Sequence, residues 1–364
     1  MARPVLSSVT RAGRRAAVPG RSSTSSNARP FHASTTLLQQ KPEAIAEAFL
    51  SKFANGKEFV RKQLLDANQL RLLSLTLDRT KLWPGLESLE YSEPAEGTPL
   101  PAGYHNAYFT PTQLPDALGV DGTDTSYNPE APFTRRMWAG GSIHWPGADP
   151  SASSQSYLKV GDIATEVTKV KSCEVKTIKK TGEAMLVVGV VKEFLDSKDN
   201  LCVTDNRNWV FREALDPSKK VKGPQKPPEP TMDELKRADE GKLVRHFNRD
   251  PPTLFRFSAL TFNAHRIHYD KPWSVEVEGH RDTVVHGPLN MLSMLDFWRD
   301  EDSGIAGKDI LLPKSLKYRA TSPVYVGEGY RILIEKDAID KGEVPIEVVS
   351  NDGTSCMKGT IERY

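Results

Sequence analysis

A chain of 364 residues in which 26% of side chains are charged, 38% hydrophobic and 8% aromatic can bury one large core or two ordinary ones. That excludes a stapled miniature and a disordered polymer. Six of its 49 basic residues and none of its 47 acidic ones fall within the first 38 positions, so the remainder is net acidic by four and has no electrostatic footing for nucleic acid. No run of apolar residues is long enough for a membrane-spanning helix. Cys173, Cys202 and Cys356 are odd in number and widely spaced, which speaks against a disulfide framework or zinc site and for three buried small hydrophobes.

The first segment, residues 1–38, combines Arg3, Arg11, Arg14, Arg15, Arg21 and Arg29 with many serines and threonines and no acid. This is the pattern of a mitochondrial transit peptide, and Arg29-Pro30-Phe31-His32-Ala33-Ser34 is similar to a two-step matrix processing motif with cleavage after Leu38. Leucines at helical spacing predict one or two helices across residues 42–77. From Pro94 to Pro132 the chain is rich in Pro, Gly and Asp, a long irregular stretch of the kind that carries binding loops. Alternating β-branched residues then predict strands at Arg136–Trp145, Ile163–Val175, Ala184–Leu195 and Trp209–Glu213. A Pro/Lys-rich stretch starting at Ala214 separates two halves, giving a first half over 42–213, a linker over 214–252 and a second half over 253–364.

In the second half Thr253–Ser258 reads as a strand and Gly287-Pro288 opens an apolar helix through Leu289, Leu292, Leu295 and Trp298. Strands follow at Leu316–Thr321, Tyr330–Lys336, Val344–Ser350 and Ser355–Arg363, with Asn351-Asp352-Gly353 as a hairpin turn between the last two. A weak repeat links the halves: strand, proline, an aliphatic-Gly-acid turn (Val160-Gly161-Asp162, then Val326-Gly327-Glu328) and another strand. Only the second copy carries a His-rich segment and an apolar helix, so the pair is expected to build one site.

That segment, Phe257 to Asp270 (FSALTFNAHRIHYD), precedes His286-Gly287-Pro288-Leu289. It resembles the hydratase-2 motif of MaoC-like hot-dog enzymes, and its Asn-x-His form, together with the run Arg135 to Gly141, is similar to fungal mitochondrial 3-hydroxyacyl-thioester dehydratases and mesaconyl-CoA hydratases. The resemblance places His268 on the catalytic histidine, Asn263 on the catalytic aspartate, His265 on an asparagine and Arg266 on a proline. Gly287 falls on the glycine whose amide helps bind the thioester oxygen. It implies an α+β double hot-dog with a degenerate first half, and reversible dehydration of (3R)-hydroxyacyl thioesters in mitochondrial type II fatty acid synthesis, with no cofactor or metal.

The chemistry needs a base for the C2 proton, an acid for the C3 hydroxyl and donors for a developing enolate oxygen. His268 is the residue type that can exchange a proton near neutral pH. Asn263 cannot ionise and would orient the hydroxyl or a water. His265, Arg266 and His286 are candidates for supporting hydrogen bonds or for contact with the carrier. The partner is an acyl-carrier-protein or CoA thioester, and a homodimer stays open. Two other readings remain open as well: hydration of a short branched enoyl-CoA of the mesaconyl type, and a non-catalytic hot-dog module that binds acyl thioesters.

Overall fold

A computed structural model describes residues 41–179, 181–302 and 310–364, so the expected transit peptide lies outside the described residues. Ten antiparallel strands form a single sheet: β1 (Phe59–Leu64), β2 (Arg135–His144), β3 (Ile163–Thr177), β4 (Ala184–Leu195), β5 (Leu201–Arg212), β6 (Lys242–Asn248), β7 (Ser315–Ala320), β8 (Gly329–Glu335), β9 (Glu343–Ser350) and β10 (Ser355–Glu362). Their order is β1-β3-β4-β5-β2-β7-β10-β9-β8-β6. About the central β2·β7 pair this order is symmetric: β1, β3, β4 and β5 on one side answer β6, β8, β9 and β10 on the other. The repeat is therefore structural, and both aliphatic-Gly-acid turns stand directly before the third strand position, with Gly161 and Gly327 in the left-handed region. This is the expected double hot-dog.

The seam needs two glycines. At the bulge in β2 a Cβ on Gly140 would sit 2.5 Å from the carbonyl oxygen of Tyr318, and one on Gly141 would sit 1.9 Å from that of Asn206. No side chain fits between the strands there.

Three sequence expectations are corrected. Residues 42–77 hold α1 (Pro42–Phe53) and α2 (Ala67–Thr76), but β1 lies between them, because Asn55 and Gly56 take positive φ and end the first helix. Thr253–Ser258 is not a strand but part of α4 (Pro251–Leu260). Asp250 caps it by accepting from the Thr253 amide at 2.9 Å, prolines occupy the first turn, and Leu254, Phe257 and Ser258 are buried at helical spacing. The stretch 214–252 is not all linker, since it contains α3 (Met232–Ala238), held by a Thr231/Glu234 capping box, and the edge strand β6, paired to β8. Trp209–Glu213 is the end of the longer β5.

The long helix α5 (Gly287–Glu301) is buried on every side from Leu289 to Trp298, its polar Asn290, Ser293 and Asp296 included. It packs on the second-half strands, with Met294 filling the space above Gly359. Among the described residues the first half has no long helix between α2 and β2, where the 3₁₀ turn Tyr104–Ala107 stands. It closes on α5 through the Tyr104 hydroxyl, which donates to Asp296 at 2.9 Å, and Gly103 comes against Leu292 and Leu295. A second core lies under α1, where Ile45, Phe49 and Phe53 meet Leu186, Val188, Val190 and Phe211. Cys173, Cys202 and Cys356 are free and buried.

Candidate active site

The histidines are gathered by short backbone devices. After α4 the chain turns through Phe262 at positive φ, the Asn263 amide returns to the Ser258 carbonyl at 2.8 Å, and Asn263 Oδ1 accepts from the His265 amide at 3.1 Å. A 3₁₀ turn, Arg266–His268, then carries His268 inward. Backbone bonds from Val284 to Ile267 and from Arg266 to Asp121 pin this turn to the approach to α5 and to a first-half loop. A Cβ on Gly122 would come within 2.0 Å of the Ala264 carbonyl, so that loop lies directly against the motif.

His268 is 8% exposed, and its Nδ1 is 2.7 Å from the Val284 carbonyl. Nδ1 therefore carries the hydrogen and donates, which leaves Nε2 as a lone pair free to accept a proton. Burial, and secondly the charge that His265 can carry, push His268 down to about 3. The imidazole is neutral in the working range. Its ring stacks on that of His286 at 3.6 Å and 18°. His286, fully buried, hydrogen-bonds Ser258 Oγ at 2.8 Å and is held well below the ordinary histidine range by burial and by its histidine neighbours. His286 thus serves as a floor under His268.

Gly287 begins α5, where the first amides have no carbonyl within the helix and face the positive end of its dipole. A Cβ there would lie 2.4 Å from Cε3 of Trp138, whose ring is stacked on Tyr318 at 4.8 Å. Gly287→Ala is expected to cost about 1–3 kcal/mol by overpacking and to displace the first amide of α5. Urea denaturation and crotonyl-CoA hydration measured on the same sample check it; full stability with full activity would contradict the close packing.

Arg266 is occupied within the chain. Its guanidinium forms a double contact with Asp270 at 2.9 and 2.6 Å and lies 4.0 Å above the Trp273 ring. His265 meets His268 edge-to-face at 5.5 Å, with Nε2 3.6 Å from Glu278 Oε1 and 4.0 Å from Asp121 Oδ2. Neither acid was singled out in the sequence: Asp121 is one of several in an irregular stretch, and Glu278 follows a π-helical turn, Trp273–Val277. One donor each from Asp121, His265 and Glu278 lies within 4.8 Å of the others, a spacing that also suits a metal ion. Glu278 already has a cation, the Arg135 guanidinium, bonded twice to Oε2 at 3.0 and 2.5 Å. Arg135 and Trp138 come from the Arg135 to Gly141 run, so both halves contribute. A separate small cleft, lined among others by Leu100, His105, Trp145, Tyr157 and Val203, shares no residue with the histidine cluster.

Residues 103–326, more than half the chain, match the family described as hydroxyacyl-thioester dehydratase type 2. The chain belongs to this family. The mesaconyl-C(4)-CoA hydratase of Chloroflexus aurantiacus is 30% identical over 274 residues, covering 74% of this chain and 85% of the relative. The mitochondrial hydroxyacyl-thioester dehydratase type 2 of Schizosaccharomyces pombe is 26% identical over 257 residues, 66% of this chain and 80% of the relative. Among solved structures, a MaoC-like dehydratase from Phytophthora capsici superimposes with a TM-score of 0.56 at 15% identity over 86% of this chain and 98% of that one, which supports the hot-dog fold. As a member of the dehydratase type 2 family the protein is a hydro-lyase acting on thioesters.

Proposed function

We propose that the protein catalyses reversible dehydration of (3R)-hydroxyacyl thioesters to trans-2-enoyl thioesters, on carrier-bound chains in mitochondrial type II fatty acid synthesis. The observation that carries this reading is a buried neutral imidazole, His268, with its Nδ1–H fixed on Val284 and its Nε2 free, next to the first amide of α5. In the dehydration direction Nε2 takes the C2 proton. The negative charge that moves onto the thioester oxygen meets the Gly287 amide and the helix dipole. Asn263, with Oδ1 engaged by the His265 amide, holds the turn in shape.

The mitochondrial setting rests on the acid-free, arginine-rich first 38 residues and on the similarity to the mitochondrial Schizosaccharomyces pombe dehydratase. An acidic carrier protein is favoured by the lysine-bearing stretch Lys219 to Lys226, which runs beside the site: the Val221 amide donates to the Glu276 carbonyl at 2.8 Å, close to Glu278 in the chain. A second reading, hydration of a mesaconyl thioester, is favoured by the 30% identity to the Chloroflexus enzyme.

The test is hydration of crotonyl-CoA, extended to longer trans-2-enoyl thioesters on CoA and on acyl carrier protein and to mesaconyl-CoA. Turnover of crotonyl-CoA that rises with chain length and with the carrier protein is the expected result. A preference for mesaconyl-CoA decides for the second reading, and no turnover of any thioester leaves only a binding module.

A further inference from the structure

The family motif places an aspartate where this chain has Asn263, yet two carboxylates stand around the neighbouring histidine. His265 Nε2 is buried, makes no hydrogen bond among the described residues and faces Glu278 and Asp121. Glu278, only 3% exposed, accepts from Trp273 Nε1 on the oxygen nearer His265 and from Arg135 on the other. Burial alone would raise its carboxyl, but His265 and Arg135 more than reverse this and hold it down at about 2. It is a fixed anion. Asp121 is oriented by the amide and hydroxyl of Thr123 at 3.0 and 2.7 Å. A ring nitrogen that faces two carboxylates carries a hydrogen, and Nδ1 of the same ring has no partner among the described residues.

We propose that His265 is the general acid of the dehydration, with Glu278 and Asp121 as the positioning carboxylates that hold its proton in place. The anion lost from position 263 is in this way supplied from behind a second histidine, by one residue of each half. The inference rests on the reading of His268 as the base. In the dehydration direction the C2 proton passes to His268 Nε2 and the C2–H electron pair becomes the C2=C3 double bond by way of the enolate. The C3–O bond breaks with its pair on oxygen, which takes a proton from the His265 imidazolium and leaves as water. His265 ends neutral and His268 protonated, and transfer of one proton back from His268 resets the pair. Hydration is the reverse. Of the two histidines His265 is assigned the proton to be donated because its Nε2 faces the two carboxylates, whereas His268 Nε2 is the lone pair. The other groups around it are Arg135 behind Glu278, His280, and His286 beneath His268.

The test separates acid from base by leaving group. Elimination of water from 3-hydroxybutyryl-CoA needs both, whereas elimination of chloride from 3-chlorobutyryl-CoA needs the base alone. His265→Gln is expected to lose hydroxyl elimination by on the order of 10²- to 10⁴-fold while keeping most of its chloride elimination. His268→Ala should lose both. Glu278→Gln should lower kcat with little change in KM and move the alkaline limb of the hydroxyacyl pH profile to lower pH, because a carboxylate beside an imidazolium stabilises the charged form. On the chloride substrate that limb should be absent. Asp121→Asn, which keeps an acceptor for Thr123, is the second variant should loss of Glu278 unseat Arg135, and melting temperatures show whether it has. Equal losses on both substrates in His265→Gln overturn the acid assignment. Unmoved profiles in folded Glu278→Gln and Asp121→Asn overturn the carboxylates' part in it. Full activity of His268→Ala on both substrates instead defeats the underlying reading of the site.

Discussion

His268→Ala is expected to lower crotonyl-CoA hydration by on the order of 10²- to 10⁴-fold, the usual range for removal of a general acid or base. The side chain is the member of the cluster whose ring nitrogens are both accounted for by the chemistry: Nδ1 spends its hydrogen on the Val284 carbonyl and Nε2 is left to exchange a proton. Asn263→Ala should cost far less, about 0.5–1.5 kcal/mol or roughly 2- to 13-fold, because what it loses is one neutral hydrogen bond, to the His265 amide. The pH dependence carries a sign. Protonated His268 cannot act as base, so activity fails as pH falls through its pKa. Burial has moved that value from the ordinary histidine range down to about 3, and the wild-type enzyme should keep its base function at pH values where an exposed histidine is fully charged. An acid limb near 6.5 would mean that His268 is solvated in the working enzyme. Full hydration activity in both variants would mean that the chemistry lies elsewhere.

Asp205→Ala should be the most damaging change to stability, at about 3–5 kcal/mol, the scale for breaking a buried ion pair by removing one partner. Asp205 is 1% exposed on β5 and binds Arg207 through Nε at 2.8 Å and Nη2 at 2.6 Å, with His105 of the 3₁₀ turn at 3.5 Å. Burial alone would raise its carboxyl, but Arg207 and His105 hold it well below the carboxylate range. Without it the Arg207 guanidinium keeps only Asn106 Oδ1, at 2.8 Å, among its side-chain acceptors. Urea midpoints measure the loss. Adding Arg207→Met should recover most of it, since the cost is an unpaired charge and not a missing attraction. A loss below about 1 kcal/mol in the single variant would show that water reaches this cluster.

Much of the architecture is legible along the chain because its signals are local. The alternation in Ala184–Leu195 matches β4 end for end, and glycine-proline before a periodic apolar run marks the start of α5. The segment Phe257–Asp270 stands out by its resemblance to the family motif, since a histidine before a helix by itself is more often a capping or packing residue. Local propensity misleads at Thr253–Ser258, where β-type side chains are overruled by the Asp250 cap and by the burial of Leu254 and Phe257 against the rest of the core. It is silent at β6, an edge strand of mixed charge that exists because β8 offers it a row of partners.

By itself the sequence determined the family motif, the two-fold plan of the chain and the histidine proposed for the proton chemistry, all of which depend on residues near one another in the chain. Tertiary structure alone decided that the halves join at a glycine seam, that His268 is stripped of water and so held neutral, and that Asp121, Arg135 and Glu278 gather around His265. The physical reason is that desolvation and the pairing of charges depend on distance in space, and a lone aspartate or glutamate carries no mark in the chain of the partner it will meet.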